Sequence, residues 1–357
     1  MLAFVRGETR LPNYKSSPLL LSTKVSVIIA ARNEENSIRN TLHSLILQTY
    51  DKALTEIICI DDHSTDQTAE IIASYKDHNV TLIQLKEDKP INPYKKKAIQ
   101  LAIAQCSGRL IVTTDADCTM GPEWLKTIVS FYEECGYKMI SSPVAYHHER
   151  NLFELAQSLE FLYLIGLGAA TIGNKQPATC NGANLAYEKE AFYEVGGFRG
   201  IDDLASGDDE LLLHKMSSKY TGGIGFLKSE DATVYTQAKA TLKEFIQQRK
   251  RWSSKSTRYK NTSVICLGVF IWLFNVSLVV LFFLGFWNVV YAQIALVQLL
   301  VKIFTEFVFL YKITGFMRRR KLLTLLPLLS VLHILYIIYI GIAGNSGRYN
   351  WKGRMVR

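Results

Sequence analysis

The sequence has few cysteines, and their spacing fits neither a disulfide scaffold nor a zinc site. Six cysteines are scattered over 357 residues, and no two of them form a CxxC pair. This pattern is typical of reduced thiols in contact with a cytosol. GxGxxG and P-loop patterns are also missing, so the nucleotide-binding folds that depend on those glycine-rich loops have no support. The first 24 residues lack a long apolar run, and we expect no secretory signal there.

Positive charge is concentrated in the C-terminal third of the chain. There are 41 Lys and Arg residues against 32 Asp and Glu, a net charge of +9. The segments 243–260, 312–321 and 348–357 together carry 15 more positive than negative charges, which leaves −6 for residues 1–242. An acidic first part does not suit a nucleic-acid-binding protein. The basic segments border the most apolar parts of the chain, which indicates a protein that meets a membrane.

Three segments are apolar enough to cross a membrane. Residues 264–284 and 322–343 contain no charged residue, and 289–311 contains only Lys302 and Glu306. Each segment is close to the ~20 residues that span a hydrocarbon core. Lys302 and Glu306 lie four residues apart and are expected to form a local ion pair on one helix face, with no role in catalysis.

The orientation of these helices stays open at the level of sequence. The excess of positive charge on cytosolic loops places 243–260 and 312–321 in the cytosol, which fits a hairpin of two spans that turns near 285–288. A third full crossing would put the basic tail outside. Either the tail then violates the charge rule, or one segment is re-entrant. We expect a multi-pass protein of a bacterial inner membrane with a cytosolic catalytic domain.

These features divide the chain into five parts. We expect an N-terminal surface arm, a catalytic domain, a basic juxtamembrane helix, a region of two or three membrane helices and a basic tail, over residues 1–24, 25–242, 243–262, 263–343 and 344–357. Within the catalytic domain, apolar strands alternate with helical segments. This alternation predicts an α/β fold, in which helices cover both faces of a parallel sheet. Ligands of such sheets bind beyond the carboxyl ends of the strands.

Acidic residues stand at two of these strand ends. Asp61 and Asp62 end the second strand, while Asp115 and Asp117 follow the fourth, so the four should converge in one crevice. In an extended segment, the carboxylates of Asp115 and Asp117 point the same way. Paired hard oxygens suit Mg²⁺ or Mn²⁺, which share the rest of their shell with water and phosphate. Gathered carboxylates repel one another, so a cation or a ligand must offset them.

Five motifs follow one another over residues 25–255, namely VSVIIAARNEE, CIDDHSTD, TTDADC, SGDDELLLHK and QQRKRW. In this order they resemble the membrane-anchored inverting glycosyltransferases of family 2, which include cellulose and hyaluronan synthases and ceramide glucosyltransferase. The resemblance implies a Rossmann-like nucleotide-diphospho-sugar transferase domain of the A type before the membrane helices. It also implies a metal-dependent hexosyltransferase whose donor is a nucleotide-diphosphate sugar, such as a UDP-sugar.

The resemblance assigns donor and metal roles to particular residues. The nucleotide base and ribose would be held by Ala31, Arg32, Asn33, Glu34 and Asp62, with Asp61 beside them. Lys97 matches the lysine of the family's GKAxALN segment and would lie near the diphosphate, although Lys96 replaces the family's glycine; a solvated basic helix start is the alternative. Asp115 and Asp117 match the metal-binding pair, with Asp117 the firmer ligand and Asp115 also near the donor.

The catalytic base and the acceptor residues follow from the later motifs. Asp209 falls where the family's Thr-Glu-Asp triplet has its base, but Gly207-Asp208 replaces Thr-Glu, so Asp208 is the alternative. The segment TCNGAN resembles the loop that cradles the acceptor, and it contains Cys180, Asn181, Gly182 and Asn184.

The QxxRW motif is intact. By the resemblance, Arg251 would meet the diphosphate, Gln248 would belong to the donor-binding residues, and Trp252 would wall the acceptor pocket. Alternatively, the same residues form only an amphipathic juxtamembrane helix with lipid-facing arginines.

The reaction implied is a single inverting displacement, in which a carboxylate takes the proton of an acceptor hydroxyl. We expect transfer to a lipid-linked or membrane-proximal glycan acceptor. One alternative is a processive polysaccharide synthase, although such enzymes usually have more membrane spans. Another is a catalytically silent subunit of an envelope glycan complex, against which the intact acids at 62, 115, 117 and 209 argue.

Overall fold

The computed structural model describes residues 1–17, 20–85, 94–204, 206–259, 262–343, 349–351 and 354–356. The strands are β1 Val25–Ala31, β2 Thr55–Asp61, β3 Val80–Gln84, β4 Leu110–Asp115, β5 Thr119–Met120, β6 Met139–Ser141, β7 Val144–Tyr146, β8 Leu185–Glu188, β9 Ile224–Phe226, β10 Val234–Thr236, β11 Tyr349–Trp351 and β12 Arg354–Val356. The α-helices are α1 Leu2–Thr9, α2 Ile38–Ile46, α3 Thr68–Ala73, α4 Tyr94–Gln105, α5 Trp124–Cys135, α6 Leu152–Gly173, α7 Lys189–Glu194, α8 Glu210–Lys219, α9 Leu242–Ser254, α10 Thr262–Leu284, α11 Val289–Phe316 and α12 Leu326–Ala343.

The main sheet has seven strands in the order β3-β2-β1-β4-β8-β6-β9. β1 pairs in parallel with β2 and β4, and β2 pairs in parallel with β3. β8 runs antiparallel to both β4 and β6, so the sheet is mixed rather than wholly parallel. The predicted Rossmann-like α/β architecture is confirmed, with this one reversal as the difference.

Alternate residues of β1 pack into two separate cores, one on each face of the sheet. Val27 and Ile29 belong to the core that contains Trp124. Ile28 belongs to the opposite core, with Ile103 of α4. Because successive strand residues point to opposite faces, a strand covered on both sides must be apolar throughout. This requirement explains the unbroken run VSVIIAA, and it fixes the carboxyl ends of β1, β2 and β4 along one edge.

Three long apolar helices, α10, α11 and α12, follow the α/β domain and are long enough to cross a membrane. α10 and α11 are joined by a short turn at 285–288, where the sequence places one. The expected pair of Lys302 and Glu306 forms within α11, with Nζ 2.5 Å from Oε1. A fourth helix of sufficient length and apolarity is α6, which the sequence reasoning did not include. About two-thirds of α6 is buried inside the protein, where it packs between strands β7 and β9 on one side and the apolar helix α11 on the other.

The N-terminal residues differ from the surface arm expected for them. Residues 2–9 form α1, which packs against α6, and the ring of Phe4 lies 6.3 Å from that of Phe309. Glu8 is buried and bonded to Lys228. Apolar residues on both partners and a buried ion pair hold this segment in place. Most of the predicted basic tail lies outside the described residues, apart from β11 and β12, which pair antiparallel.

Candidate active site

A cavity of about 1360 Å³ connects the carboxyl ends of β1, β2 and β4 with the apolar C-terminal helices α10, α11 and α12. Of the four strand-end acids expected to converge, Asp62, Asp115 and Asp117 line this cavity, whereas Asp61 is not among its lining residues; the candidate base Asp209 lines it as well. Most of the other predicted site residues line it as well, namely Ala31, Arg32, Glu34, Cys180, Asn181, Gly182, Asp208, Gln248, Arg251 and Trp252. The fold therefore brings together side chains from five motifs that together span more than 200 residues of the sequence.

Two loops at the ends of β1 and β2 are tied to each other. The Arg32 guanidinium donates to the carbonyl of Asp62 at 2.6 Å, and Asn33 Oδ1 accepts from the amide of Thr65 at 2.8 Å. Asp61 is buried and accepts from the amide of Ser64 at 3.3 Å. Asn33 and Asp61 thus hold the loops from behind, while Asp62, which is also buried, contributes to the cavity wall.

The sequence argument assumed that the Asp115-Ala116-Asp117 segment is extended, but in the structure it is not. β4 ends at Asp115, and the chain turns there, with the amide of Cys118 donating to the Asp115 carbonyl at 3.2 Å. The assumption of an extended segment was wrong because a turn at 116–117 separates β4 from β5, which begins at Thr119 and belongs to a different sheet, where it pairs with β10. The turn nevertheless leaves both carboxylates on the cavity wall.

Lys95, rather than Lys97, makes the acidic contacts at the start of α4. Its Nζ lies 2.9 Å from Asp115 Oδ1 and 3.2 Å from Asp208 Oδ2. Burial would raise the pKa of Asp115, but the ammonium of Lys95 more than offsets this effect and holds that pKa below its usual range. Lys97 lies on the exposed side of the same helix. The diphosphate role predicted for Lys97 therefore stays a prediction, and Lys95 is the lysine of α4 that lines the cavity.

A pair of matched variants separates these two lysines. We expect Lys95→Met to lower kcat/KM for sugar transfer by about 10- to 100-fold, the effect of losing charge-assisted hydrogen bonds at a site of gathered acids. Lys97→Met should cause a smaller loss because Lys97 is exposed and does not line the cavity. Steady-state rates with a labelled donor give the comparison. Equal losses in the two variants would contradict the assignment to Lys95.

Lys96 fixes the loop that leads to the two candidate bases. Its side chain is buried, and Nζ donates to the carbonyls of Leu204 at 2.9 Å and Ser206 at 2.8 Å. Burial lowers the pKa of Lys96 to about 8.

Gly207, which follows Ser206 in the chain, has φ +85°, and a Cβ there would lie 2.8 Å from Leu211. This left-handed conformation favours glycine over residues that carry a Cβ, which suits the glycine at position 207.

Asp209 and Asp208 have different surroundings. Asp209 caps α8, with Oδ1 accepting from the amide of Glu210 at 2.6 Å and Oδ2 accepting from the amide of Gly182 at 3.1 Å. Lys255 Nζ lies 3.4 Å from Asp209 Oδ1. Burial would raise the pKa of Asp209, but Lys255 and the amide donors lower it below its usual range. Asp209 is thus held as a carboxylate, whereas Asp208 is paired with Lys95.

The loop with the sequence TCNGAN approaches Asp209 closely at Gly182. A Cβ on Gly182 would lie 3.3 Å from the Asp209 Cβ, so a larger residue would crowd the carboxylate. Asn184 is fully buried, and its Nδ2 donates to the carbonyls of Pro143 and Ala232 at 2.7 and 2.8 Å. These contacts make Asn184 an anchor of the loop, and its predicted contact with an acceptor stays a prediction.

The QxxRW segment lies in α9, where Trp252 stacks on Phe161 with ring centroids 5.8 Å apart. Arg251 lines the cavity and contributes to the low pKa of Asp115. Gln248 Oε1 accepts from Arg249 at 2.5 Å. Arg249 is itself buried, and its Nε donates to Glu160 of α6 at 3.0 Å. These contacts turn the motif toward the interior, unlike the alternative in which its arginines face lipid.

The carboxylate groups at the end of β4 are suitable ligands for a divalent cation. Asp115 and Asp117 present carboxylate oxygens to the cavity, and a cationic group, Lys95 Nζ, already lies against Asp115. Over the residues that the structure describes, no three His, Cys, Asp or Glu side chains cluster as a complete metal site. Mg²⁺ and Mn²⁺ in phosphate-handling sites need only one or two carboxylates, because water and the substrate's phosphates complete the shell. Asp117, and beside it Asp115, are the residues that would hold such an ion.

Comparisons with known proteins show similarity to glycosyltransferases. Residues 26–196 match the family model "Glycosyl transferase family 2". The chain is 27% identical over 260 residues to a probable glycosyltransferase, YdaM, of Bacillus subtilis, a match covering 70% of this chain and 59% of the relative. It is 27% identical over 184 residues to the 4,4'-diaponeurosporenoate glycosyltransferase of Staphylococcus aureus, covering 50% of this chain and 47% of the relative. The chain thus spans roughly half the length of these curated relatives.

Among solved structures, the fold is similar to that of the mannosyltransferase PcManGT of Pyrobaculum calidifontis in complex with GDP-Man and Mn²⁺. The TM-score is 0.57 at 16% sequence identity, over 94% of each chain. At this identity the likeness concerns the fold alone. The fold is a mixed α/β, Rossmann-like domain of the A type, followed by C-terminal helices apolar enough to span a membrane.

Proposed function

We propose that this chain, whose residues 26–196 form a family 2 glycosyltransferase domain, transfers a sugar from a nucleotide-diphosphate sugar to a lipid-linked or membrane-proximal glycan acceptor. The observation that carries the proposal is the cavity, which joins the acids at the strand ends to the helices apolar enough to span a membrane. A soluble acceptor would not need that continuity. We further propose a UDP-sugar as donor and a multi-pass membrane location with the catalytic domain in the cytosol.

The donor end of the cavity suits a nucleotide diphosphate. Asp62 and the loop after β1 form a recess for base and ribose, while Lys95 and Arg251 supply positive charge where a diphosphate would lie. When bound, Mg²⁺ or Mn²⁺ would neutralise the negative charge of the departing nucleoside diphosphate.

The base at the acceptor end is assigned to Asp209. In a single displacement, the acceptor oxygen bonds to the anomeric carbon as the bond to the diphosphate breaks, and Asp209 takes the hydroxyl proton. Its low basicity is sufficient because the hydroxyl becomes acidic as its oxygen bonds to carbon. Attack from the face opposite the leaving group inverts the anomeric configuration.

The pH profile should reflect the low pKa of Asp209. A carboxyl whose pKa lies below the ordinary value of about 3.9 stays ionised at every higher pH, so kcat/KM should not fall between about pH 7.5 and pH 5.5. Lys255→Met removes the strongest lowering influence, so the acidic limb should move upward in that variant. Initial rates in buffers of constant ionic strength measure both profiles. An acidic limb near neutral pH in the unmodified protein would contradict this assignment.

The proposed function is tested by incubating membranes that contain the protein with a set of radiolabelled nucleotide-sugars. Label that extracts into organic solvent supports transfer to a lipid-linked acceptor. Label of high molecular weight instead supports the processive-synthase alternative. No incorporation from any donor, with no donor bound, would favour the catalytically silent subunit.

A further inference from the structure

The cavity continues past Trp252 into the membrane helices, where polar residues line it. We call this part the inner chamber and define it by Glu160, Arg249, Asn275, Lys302, Thr305, Glu306, His333 and Tyr336. Apolar residues of α10, including Leu267 and Phe270, line the same cavity and are exposed on that helix. A polar chamber next to exposed apolar residues suits an amphiphilic molecule that arrives from the bilayer.

The acidic and basic side chains of the inner chamber balance one another. Arg249 is bonded to Glu160, which also accepts from the hydroxyl of Tyr336 at 3.1 Å. Lys302 is bonded to Glu306, whose second oxygen accepts from Ser330 at 2.7 Å. Each of the two cations therefore already has a carboxylate partner. A phosphate placed here would enter a poorly hydrated space without a counter-charge, which is costly.

Asn275 supplies an unused hydrogen-bond acceptor on the chamber wall. It is 1% exposed, and its Nδ2 donates to the carbonyl of Ile271 at 2.8 Å. Its Oδ1 is buried and has no hydrogen-bond partner among the described residues. Eleven residues separate it from Val264, where the apolar span begins, so it lies about 16 Å along that helix. A buried acceptor at this depth favours a ligand that donates, such as a hydroxyl or an amide N–H.

We infer that the acceptor is an uncharged membrane lipid with hydroxyl or amide groups, and that Asn275 Oδ1 accepts a hydrogen bond from it. The inference rests on the proposed function and narrows its acceptor. An ionised lipid phosphate only accepts hydrogen bonds, so it satisfies neither Asn275 nor the balanced charges around it. The lipid's hydrocarbon chains lie along α10, and its reacting hydroxyl extends toward Asp209. That hydroxyl loses its proton to Asp209 as its oxygen replaces the nucleoside diphosphate on the anomeric carbon.

Competing acceptors test the inference in the full-length protein in detergent micelles. Dioleoylglycerol, a ceramide and a polyprenyl phosphate are each offered with the labelled nucleotide-sugar that membranes use. We expect label on an uncharged lipid at least about tenfold faster than on the polyprenyl phosphate, the effect of one good hydrogen bond gained or lost. Equal or faster labelling of the phosphate overturns the inference. Label on a soluble glycan alone overturns it but leaves the transferase function standing, whereas absence of donor binding and of any transfer removes both.

A variant at Asn275 tests the contact itself. Asn275→Leu should raise KM for the uncharged lipid about tenfold, with a smaller change in kcat. Asn275→Ser, which keeps an oxygen acceptor, should fall between that variant and the unmodified protein. Ser277→Ala is the matched control, because Ser277 lies on the same helix and is bonded to Gln298 at 2.8 Å. An unchanged KM in Asn275→Leu, at an unchanged thermal-unfolding midpoint, overturns the role of Asn275.

Discussion

Replacing Asp209 by asparagine is expected to slow sugar transfer by about 10²- to 10⁴-fold, the range typical of losing a positioned general base. The donor should still bind, because the carboxylates at 62, 115 and 117 are untouched. Asp209 is fixed by three donors, the amides of Gly182 and Glu210 and the ammonium of Lys255, so its position does not depend on the substrate. Single-turnover transfer and equilibrium binding of labelled donor separate the two effects.

Asp208→Asn is the matched control for that experiment. Asp208 precedes Asp209 directly, lines the same cavity and pairs with Lys95 rather than with the Gly182 loop. We expect a smaller loss, caused by the disturbance of Lys95. If Asp208→Asn proves the more damaging change while Asp209→Asn stays active, the base is Asp208. The thermal-unfolding midpoints of both variants show whether a loss of activity is caused only by the loss of the helix cap at Asp209.

The convergence of acids could be predicted from sequence because it follows from sheet topology. Consecutive parallel strands end along the same edge, so residues that follow β1, β2 and β4 must meet there. Asp209 was found only through the resemblance, since it caps a helix and follows no strand. The assignment of the donor-binding residues stays a prediction, and most of the proposed set lines one cavity.

The choice among three consecutive lysines of α4 could not be predicted. Adjacent helical residues point about 100° apart, so Lys95, Lys96 and Lys97 face three directions, and only the packing of the helix decides which faces the acids. In the structure Lys95 faces the cavity, Lys96 faces the carbonyl of Ser206, and Lys97 is exposed to solvent. A rotation of α4 by about 100° would exchange their roles.

Ion pairs between residues far apart in the chain could also not be predicted from the sequence. Arg249 belongs to a strongly basic segment and has the appearance of one more surface cation, yet its partner Glu160 lies 89 residues earlier in α6. Lys255, likewise part of that segment, pairs with Asp209 and Glu210. The sequence does contain one indication for Glu160, which is the only charged residue in the stretch 155–173. Isolated acids in such stretches need a partner, but the sequence does not name it.

Asp117→Asn is expected to abolish donor binding that depends on a divalent cation and to reduce turnover by about 10³-fold or more, because several kcal/mol of charge stabilisation depend on the ion. Within the described part of the chain, Asp117 forms no salt bridge, and its side chain contacts the thiol of Cys118 at 3.7 Å. The variant therefore removes a negative charge from the cavity wall without breaking an ion pair. The effect of Asp115→Asn should be less specific to the metal, since this change also breaks the ion pair with Lys95.

The measurement is a titration of labelled donor with Mn²⁺ or Mg²⁺ after treatment with EDTA, for the unmodified protein and for two variants. Asp231→Asn is the control, because it removes an exposed acid outside the cavity lining. Chelation should stop transfer in the unmodified protein and in the control, and Mn²⁺ or Mg²⁺ should restore it. Restoration by Zn²⁺ alone would contradict a site of oxygen ligands, which prefer harder cations. Full activity of Asp117→Asn in the presence of EDTA would remove the metal from the proposal altogether, and Lys95 and Arg251 would then have to offset the diphosphate charge by themselves.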